Sequence, residues 1–379
     1  MSGYRIRRIL SAACAGAFVC VFLVASHAAE AGREGAKRSG KAAPPKEKSI
    51  EAQPYKARNR EQISRIIDGK AGAVVEELSE HLAKYPDDAE SLFVLAVAYC
   101  QTGDVPQAVD AMHRALAAGL PLERFVAGPR KLLEPLTGSE AFGELRRGHD
   151  FQLIHGPMVG CVTDSSAKIW LRTAEEVPIQ VILSDSADMS RPLRSATVFT
   201  EADRDYTAVV ELERLAPDTV YHYDLLIRGK PVLGPKLPSF RTFPRAEASA
   251  RFQVGFGGGA GYTPWNERVW NTVASRGLAA FLFLGDNVYI DTPTKPEVQR
   301  YCYYRRQSRP EYRRFVASTP IFAIWDDHDF GTNDCWYGPE INDPPWKPAV
   351  WRVFTENWNN PGYGGGRRQP GCWFRFQIA

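Results

Sequence analysis

The chain has 379 residues, 44% apolar and 24% charged, the balance of an ordinary folded protein of two or three domains. Its net charge is only +3 and its Lys and Arg are spread along the chain, which excludes the basic stripe of a nucleic-acid binder. In chain order, the first predicted element is an export signal. Arg5, Arg7 and Arg8 precede an apolar run from Ile9 to Ala25, and the small residues Ser26, Ala28, Ala29 and Ala31 follow. Residues 1–30 are therefore predicted to be a signal peptide, of Sec type or, through the Arg7-Arg8 pair, of twin-arginine type. The chain is then exported, to periplasm or exterior, and meets a membrane only through this segment; an uncleaved anchor helix is the alternative. Residues 31–59 carry almost no large apolar side chain and are predicted to be a disordered tether.

From 60 to 146 the apolar period is helical. Helices are predicted over Ala71–Lys84, Ala89–Gln101 and Val105–Ala118, with turns at Tyr85-Pro-Asp-Asp88 and Gly103-Asp104 and further helices from 122 to 146. Leu92, Leu95, Ala96, Tyr99, Gly103, Ala108 and Ala115, closed by Pro121, resemble a tetratricopeptide repeat, which implies a protein partner for this region. His81 and His113 read as solvated helix residues. From 153 to 244 the period changes to two, with strands at Ala167–Arg172, Ile179–Ser184, Tyr206–Leu212 and Val220–Ile227. Leu215-Ala-Pro-Asp-Thr-Val-Tyr221 resembles the tyrosine corner of fibronectin type III domains, so this part is predicted to be a β-sandwich with Trp170 and Tyr221 in its core.

Residues 251–379 hold eight of the nine tryptophans and open with β-α-β character. Strands are predicted at Arg251–Phe256, Ala279–Leu284 and Ile321–Trp325, and a helix around Trp265–Ser275. The last two strands each run into an acidic motif: Leu284-Gly-Asp-Asn-Val-Tyr-Ile-Asp291 and Ile324-Trp-Asp-Asp-His-Asp329. Strand carboxyl ends are where α/β sheets place their sites. Asp286 is placed to bridge two cations, Asp327 to add a carboxylate, and His328 to donate a proton or bind metal or phosphate. Carboxylates crowded at 326, 327 and 329 repel unless a cation or other partners absorb their charge.

Gly-Asp followed some forty residues later by Asp-His resembles the calcineurin-like metallophosphatases, and the forms G-D-x-x-Y and W-D-D-H resemble their alkaline phosphatase D (PhoD) family. The resemblance covers 153 to 379 and implies a metal-dependent hydrolase of phosphoric esters. It implies Asp286, Tyr289 and Asp327 as metal ligands, Asn333 as a further ligand candidate, His328 as the catalytic residue, and Tyr303 and Arg305 as contacts to the phosphate-ester substrate. The implied cofactor is a dinuclear metal centre of Ca²⁺ and Fe³⁺, with Mn²⁺ or Zn²⁺ as substitutes.

Two departures stand out. The family carries a Cys ligand in the turn after the first strand, where Phe256-Gly-Gly-Gly-Ala-Gly-Tyr262 stands here with Gly257 nearest that position. The glycines could instead offer backbone N–H groups to phosphate as an anion nest. Second, His328 is the sole histidine after residue 251, whereas the family closes its site with more, and Gly371 to Ala379 reads as the start of another strand. The metal site is therefore expected to be incomplete, as in a truncated reading frame. Of the cysteines outside the signal, Cys100, Cys161, Cys302, Cys335 and Cys372 suit neither a zinc site nor a disulfide framework, with one bridge open among the last three. The expected architecture is multidomain: a helical repeat region, a fibronectin III-like β-sandwich, then a partial α/β metallophosphatase domain. The competing function is a non-catalytic adaptor built on the first two.

Overall fold

The computed structural model describes residues 53–149, 151–336 and 342–378; the predicted export signal and most of the predicted tether lie outside these. Helices come first: α1 (Arg60–Ile67), α2 (Ala71–Lys84), α3 (Ala89–Thr102), α4 (Val105–Ala117), α5 (Glu123–Ala127), α6 (Arg130–Thr137) and α7 (Glu140–Arg147). Their caps explain the turns. Asp88 and Asp104 accept the amides of Ser91 and Gln107, each at 3.2 Å, and Gly103 ends α3 in the left-handed region with φ 83°.

Helices α2 and α4 are amphipathic and turn Val74, Leu78 and Leu82, and Ala108, Ala111, Met112 and Ala115, to the core. Every residue of α3 from Leu92 to Ala98 is buried, the mark of a helix covered on all sides. Helices α2, α4 and α6 cover part of it. The rest meets the later half of the chain, where Phe93 stacks on Tyr301 and Glu90 accepts both Arg124 and the Tyr301 hydroxyl at 2.6 Å. His81, read as solvated, is buried against Asp88 at 2.9 Å, because the Asp88 cap folds the α2–α3 turn back over it.

The strands that follow are β1 (Leu153–Gly160), β2 (Ser166–Thr173), β3 (Pro178–Ser184), β4 (Leu193–Arg194), β5 (Val198–Phe199), β6 (Thr207–Glu213), β7 (Val220–Ile227), β8 (Lys230–Pro231) and β9 (Ser239–Arg241). Then come β10 (Val254–Gly257), α8 (Val269–Ala274), β11 (Ala280–Leu284), α9 (Pro296–Gln307), α10 (Pro310–Ser318), β12 (Ile321–Ile324), α11 (Asp327–Phe330) and α12 (Lys347–Asn357). One six-stranded sheet runs β10-β11-β12-β1-β2-β6, parallel from β10 to β1 and antiparallel beyond. Strands β1 and β12 join where Gly160 lies opposite Ile321, so the sheet continues across the boundary expected between residues 244 and 251. A second sheet, β4-β3-β7-β8 with β5 on β3 and β9 on β7, packs on it through Val159, Ile169, Val181 and Tyr223.

Alternation on β11 sorts the layers: Phe281 and Phe283 join the core beneath the helices, while Ala280 and Leu282 face the inter-sheet core. The Tyr221 hydroxyl accepts the Ala216 amide at 2.8 Å, which is the tyrosine-corner bond. Trp170 is buried on the opposite face of its sheet, its indole donating to the Glu356 carbonyl at 2.8 Å. Residues 371–378 form no strand; Phe376 instead stacks on Phe322 with centroids 3.9 Å apart. All five cysteines outside the predicted signal are free thiols, so the bridge left open among the last three is not formed.

A buried polar network pins the sheet to α9 and α12. Arg172, fully buried, donates to Gln307 at 2.6 Å, Asn357 at 2.8 Å and His155 Nδ1 at 2.7 Å, and pairs with Asp205 at 3.0 Å. His155 Nδ1 must then accept, and its Nε2–H reaches the Ser308 hydroxyl at 3.1 Å. Burial, with Arg172 next, holds the His155 imidazole well below its ordinary value. Native His155 stays neutral while an unfolded His binds a proton below about pH 6.5. Stability from this group is thus full above that pH and lost as pH falls toward the depressed native value. Denaturant titrations should show wild type losing more stability than His155→Gln between about pH 6.5 and 5; parallel curves would refute the assignment.

Candidate metal centre

Both motif loops leave neighbouring parallel strands at the same sheet edge, β11 and β12, paired from Phe281–Ile321 to Leu284–Ile324. They touch at Gly285. A Cβ there would sit 2.5 Å from the Asp326 Cβ, and its φ is 97°, so only glycine lets the loops meet. Asp286 follows, itself left-handed at φ 53°. Asp329 locks the two loops together. Fully buried, it accepts the amides of Asn287 at 3.0 Å, Val288 at 2.9 Å and Asp326 at 3.2 Å. Burial pushes its carboxyl up to about 7 even against those three donors.

The loops bring Asp286, Asp327 and His328 together, one ligand atom of each lying within 4.8 Å of the others. Asp286 Oδ2 accepts the Tyr289 hydroxyl at 3.0 Å, while its Oδ1 is buried with no hydrogen-bond partner among the described residues. Burial holds the Asp286 carboxyl above its ordinary value, opposed by the Tyr289 hydroxyl and His328 and reinforced by Asp327 and Asp326. Burial and Asp286 likewise raise the Tyr289 phenol. Asp327 accepts its neighbour's amide at His328, 2.9 Å, and the Asp334 amide. The His328 ring lies 4.3 Å from the Tyr289 ring, and its Nδ1 is held by Asp291 Oδ1.

Of the other expected residues, Asn333 stands beside the cluster through Asp334, while Tyr303 and Arg305 are buried elsewhere. Asn333 donates its amide to Asp334, exposed at the rim. Tyr303 is buried and accepts the Trp358 indole at 3.1 Å. Arg305 is buried between the Tyr262 and Tyr301 rings and donates to the carbonyls of Arg58 and Lys56. Both side chains turn inward because α9 is packed on nearly all sides, so neither is placed to meet substrate. In the glycine turn, a Cβ on Gly257 would meet the Phe281 ring at 3.7 Å, whereas one on Gly259 would approach the Tyr289 hydroxyl at 3.9 Å. Gly259 and Gly261, whose Cβ would lie 3.6 Å from the Tyr289 ring, are thus the residues of this turn that face Tyr289. Three amides of the expected anion nest are already committed: those of Gly259, Ala260 and Gly261 donate to the carbonyls of Gly285, Asp286 and Gly259.

Sequence reasoning assigned no role to Asp291, Asp329 or Arg60. Asp291 and Asp329 close the two motifs and were visible as acids. Arg60 lies 231 residues from Asp291, which it contacts, and had no local signal.

A model of a domain of unknown function (DUF7800) matches residues 150–244, the stretch from β1 to β9. No curated protein matches the sequence. Among solved structures, the chain is similar to PhoD at TM-score 0.52 and 16% identity, over 60% of this chain and 50% of that one. Looser likenesses, too partial to carry an argument, are to purple acid phosphatase PPD1 from yellow lupin (Lupinus luteus) seeds and to the sensor domain of the anti-sigma factor RsgI4 of Pseudobacteroides cellulosolvens. The first has TM-score 0.43 and 12% identity over 57% and 42% of the two chains; the second has 0.20 and 14% over 24% and 92%. The chain spans half the length of the PhoD structure and has a mixed α/β fold of the PhoD type.

Proposed function

We propose that the chain is an exported, metal-dependent phosphoric-ester hydrolase of PhoD type, acting through Asp286, Asp327 and His328. The observation that carries this reading is that one ligand atom from each lies within 4.8 Å of the others, together with a buried Asp286 Oδ1 that finds no donor among the described residues. A buried acceptor left unpaired is costly, and a cation would satisfy it. The carboxylates of Asp286 and Asp327 suit Mn²⁺ or Ca²⁺, the Tyr289 phenol beside Asp286 would extend the set toward Fe³⁺, and the His328 imidazole is left for the proton. Asp286, Asp327 and Tyr289 would hold the proposed dinuclear centre of Ca²⁺ and Fe³⁺, with Mn²⁺ or Zn²⁺ as substitutes. Bound there, metal would supply Lewis acidity to the phosphoryl oxygens.

The protein's own part is orientation and proton handling. Asp291 takes the Nδ1–H of His328, which fixes the tautomer and leaves Nε2 to exchange a proton with an ester oxygen. The adaptor alternative would use the outer faces of α2 and α4, and it predicts a protein partner captured by residues 60–245 with no hydrolysis that depends on Asp286. Hydrolysis of p-nitrophenyl phosphate and its diester by the full chain should vanish on chelation and return with Mn²⁺. Turnover indifferent to chelator, or none from metal-loaded protein, would overturn the reading.

A further inference from the structure

Helix α1 reaches into the metal centre from the far end of the sequence. Arg60 Nη1 donates to the Tyr289 carbonyl at 2.6 Å and to Asp291 Oδ2. The other oxygen of that carboxylate holds His328 Nδ1. Three side chains thus stand in series, Arg60 to Asp291 to His328, and the Arg60 side chain is only 4% exposed. The helix is gripped at both ends. At its start the Asn59–Gln62 capping box forms, and Asn59 bonds the Ser91 hydroxyl at 3.0 Å. At its end the Lys295 ammonium bonds Ser64 Oγ at 2.8 Å and Asp68 at 2.7 Å, where a cation complements the helix carbonyls. Just upstream, the Lys56 ammonium lies 4.1 Å from the centroid of the Tyr289 ring.

A carboxylate holding an imidazole fixes its tautomer and ring plane only as well as the carboxylate itself is held. Asp291 is 21% exposed and sits on a loop, so alone it could swing between His328 and water. Arg60 removes that freedom, because its guanidinium is itself tied to the Tyr289 backbone and presents fixed donors to the outer oxygen. We propose that Arg60 is a positioning residue of the metal centre, acting on His328 through Asp291. Helix α1 is then a working part of the site and not of a separate binding module. The proposal rests on reading the cluster as hydrolytic, and its test separates the two.

Full-length wild type, Arg60→Ala and Arg60→Lys are compared after Mn²⁺ loading, each shown folded by circular dichroism. Arg60→Ala is expected to lower kcat for p-nitrophenyl phosphate about 10- to 100-fold with KM within about twofold. Arg60→Lys, which keeps the charge and one donor, should recover part of the loss. A second readout needs no catalysis: the low-field proton resonance of His328 Nδ1–H in the metal-free protein, assigned by its absence in His328→Gln. It should shift or broaden in Arg60→Ala and move partway back in Arg60→Lys. If the wild type hydrolyses no ester yet this shift appears, the positioning role stands and the hydrolytic reading falls. If Arg60→Ala does not fold, Arg60→Lys alone must show the lower kcat and shifted resonance. A folded variant with kcat and resonance both unchanged would overturn the proposal.

Discussion

Replacing Asp286 with alanine is expected to remove bound metal and to lower ester hydrolysis at least about 100-fold. The reason is geometric: one oxygen of Asp286 holds the Tyr289 hydroxyl, the other has no partner among the described residues, and the three-residue group with Asp327 and His328 is not complete without it. The same change should not harm the metal-free fold. Burial and the Asp327 and Asp326 charges already disfavour the Asp286 carboxylate, so apo Asp286→Ala is expected to match or slightly exceed wild type in denaturant titrations. Metal content measured per folded chain decides it, and wild-type stoichiometry in the variant would end the assignment.

The largest effect on stability is expected at Asp205, far from the motifs. Its carboxylate accepts the Tyr304 hydroxyl at 2.7 Å, pairs with Arg172 at 3.0 Å and with Arg130, and lies 3.8 Å from Arg300. Burial opposes its charge, yet Arg172, Arg130 and Arg300 together hold the carboxyl below its ordinary value. Asp205→Ala would leave the fully buried Arg172 without its counter-ion, a loss of about 3–5 kcal/mol. Asp205→Asn should fall between, since it keeps shape and an acceptor but not charge. An equilibrium unfolding difference below about 1 kcal/mol for the alanine variant would show that the network does not hold the layers together.

The elements that were legible in the sequence are those with strong local periods. The helices over 71–84, 89–101 and 105–118 lie within a residue or so of α2, α3 and α4, and the strands ending in acids are β11 and β12. The grouping of Asp286, Asp327 and His328 was legible because both motifs follow neighbouring apolar strands, although Asp329 in the same motif turned out to serve the loops themselves. Strand β1 was hidden: Gly156-Pro157 sits in it, and its register shifts between His155 and Met158 break the two-residue period. Its pairing with β12 was also beyond local reading, since periodicity shows that a strand exists and not which strand it joins. The resemblance that implies Tyr303 and Arg305 as substrate contacts carries no information on burial, and α9 buries Arg305 by giving it carbonyls and aromatic faces. Arg60 illustrates the same limit from the other side, a contact set by long-range packing with no trace in its neighbours.

The central claim is that metal sits between Asp286, Asp327 and His328, and the most direct measurement is an anomalous difference map from crystals of the full chain soaked in Mn²⁺. A peak among the side chains of Asp286, Asp327 and His328 is expected. A well-occupied peak elsewhere, with none at this cluster, would contradict it.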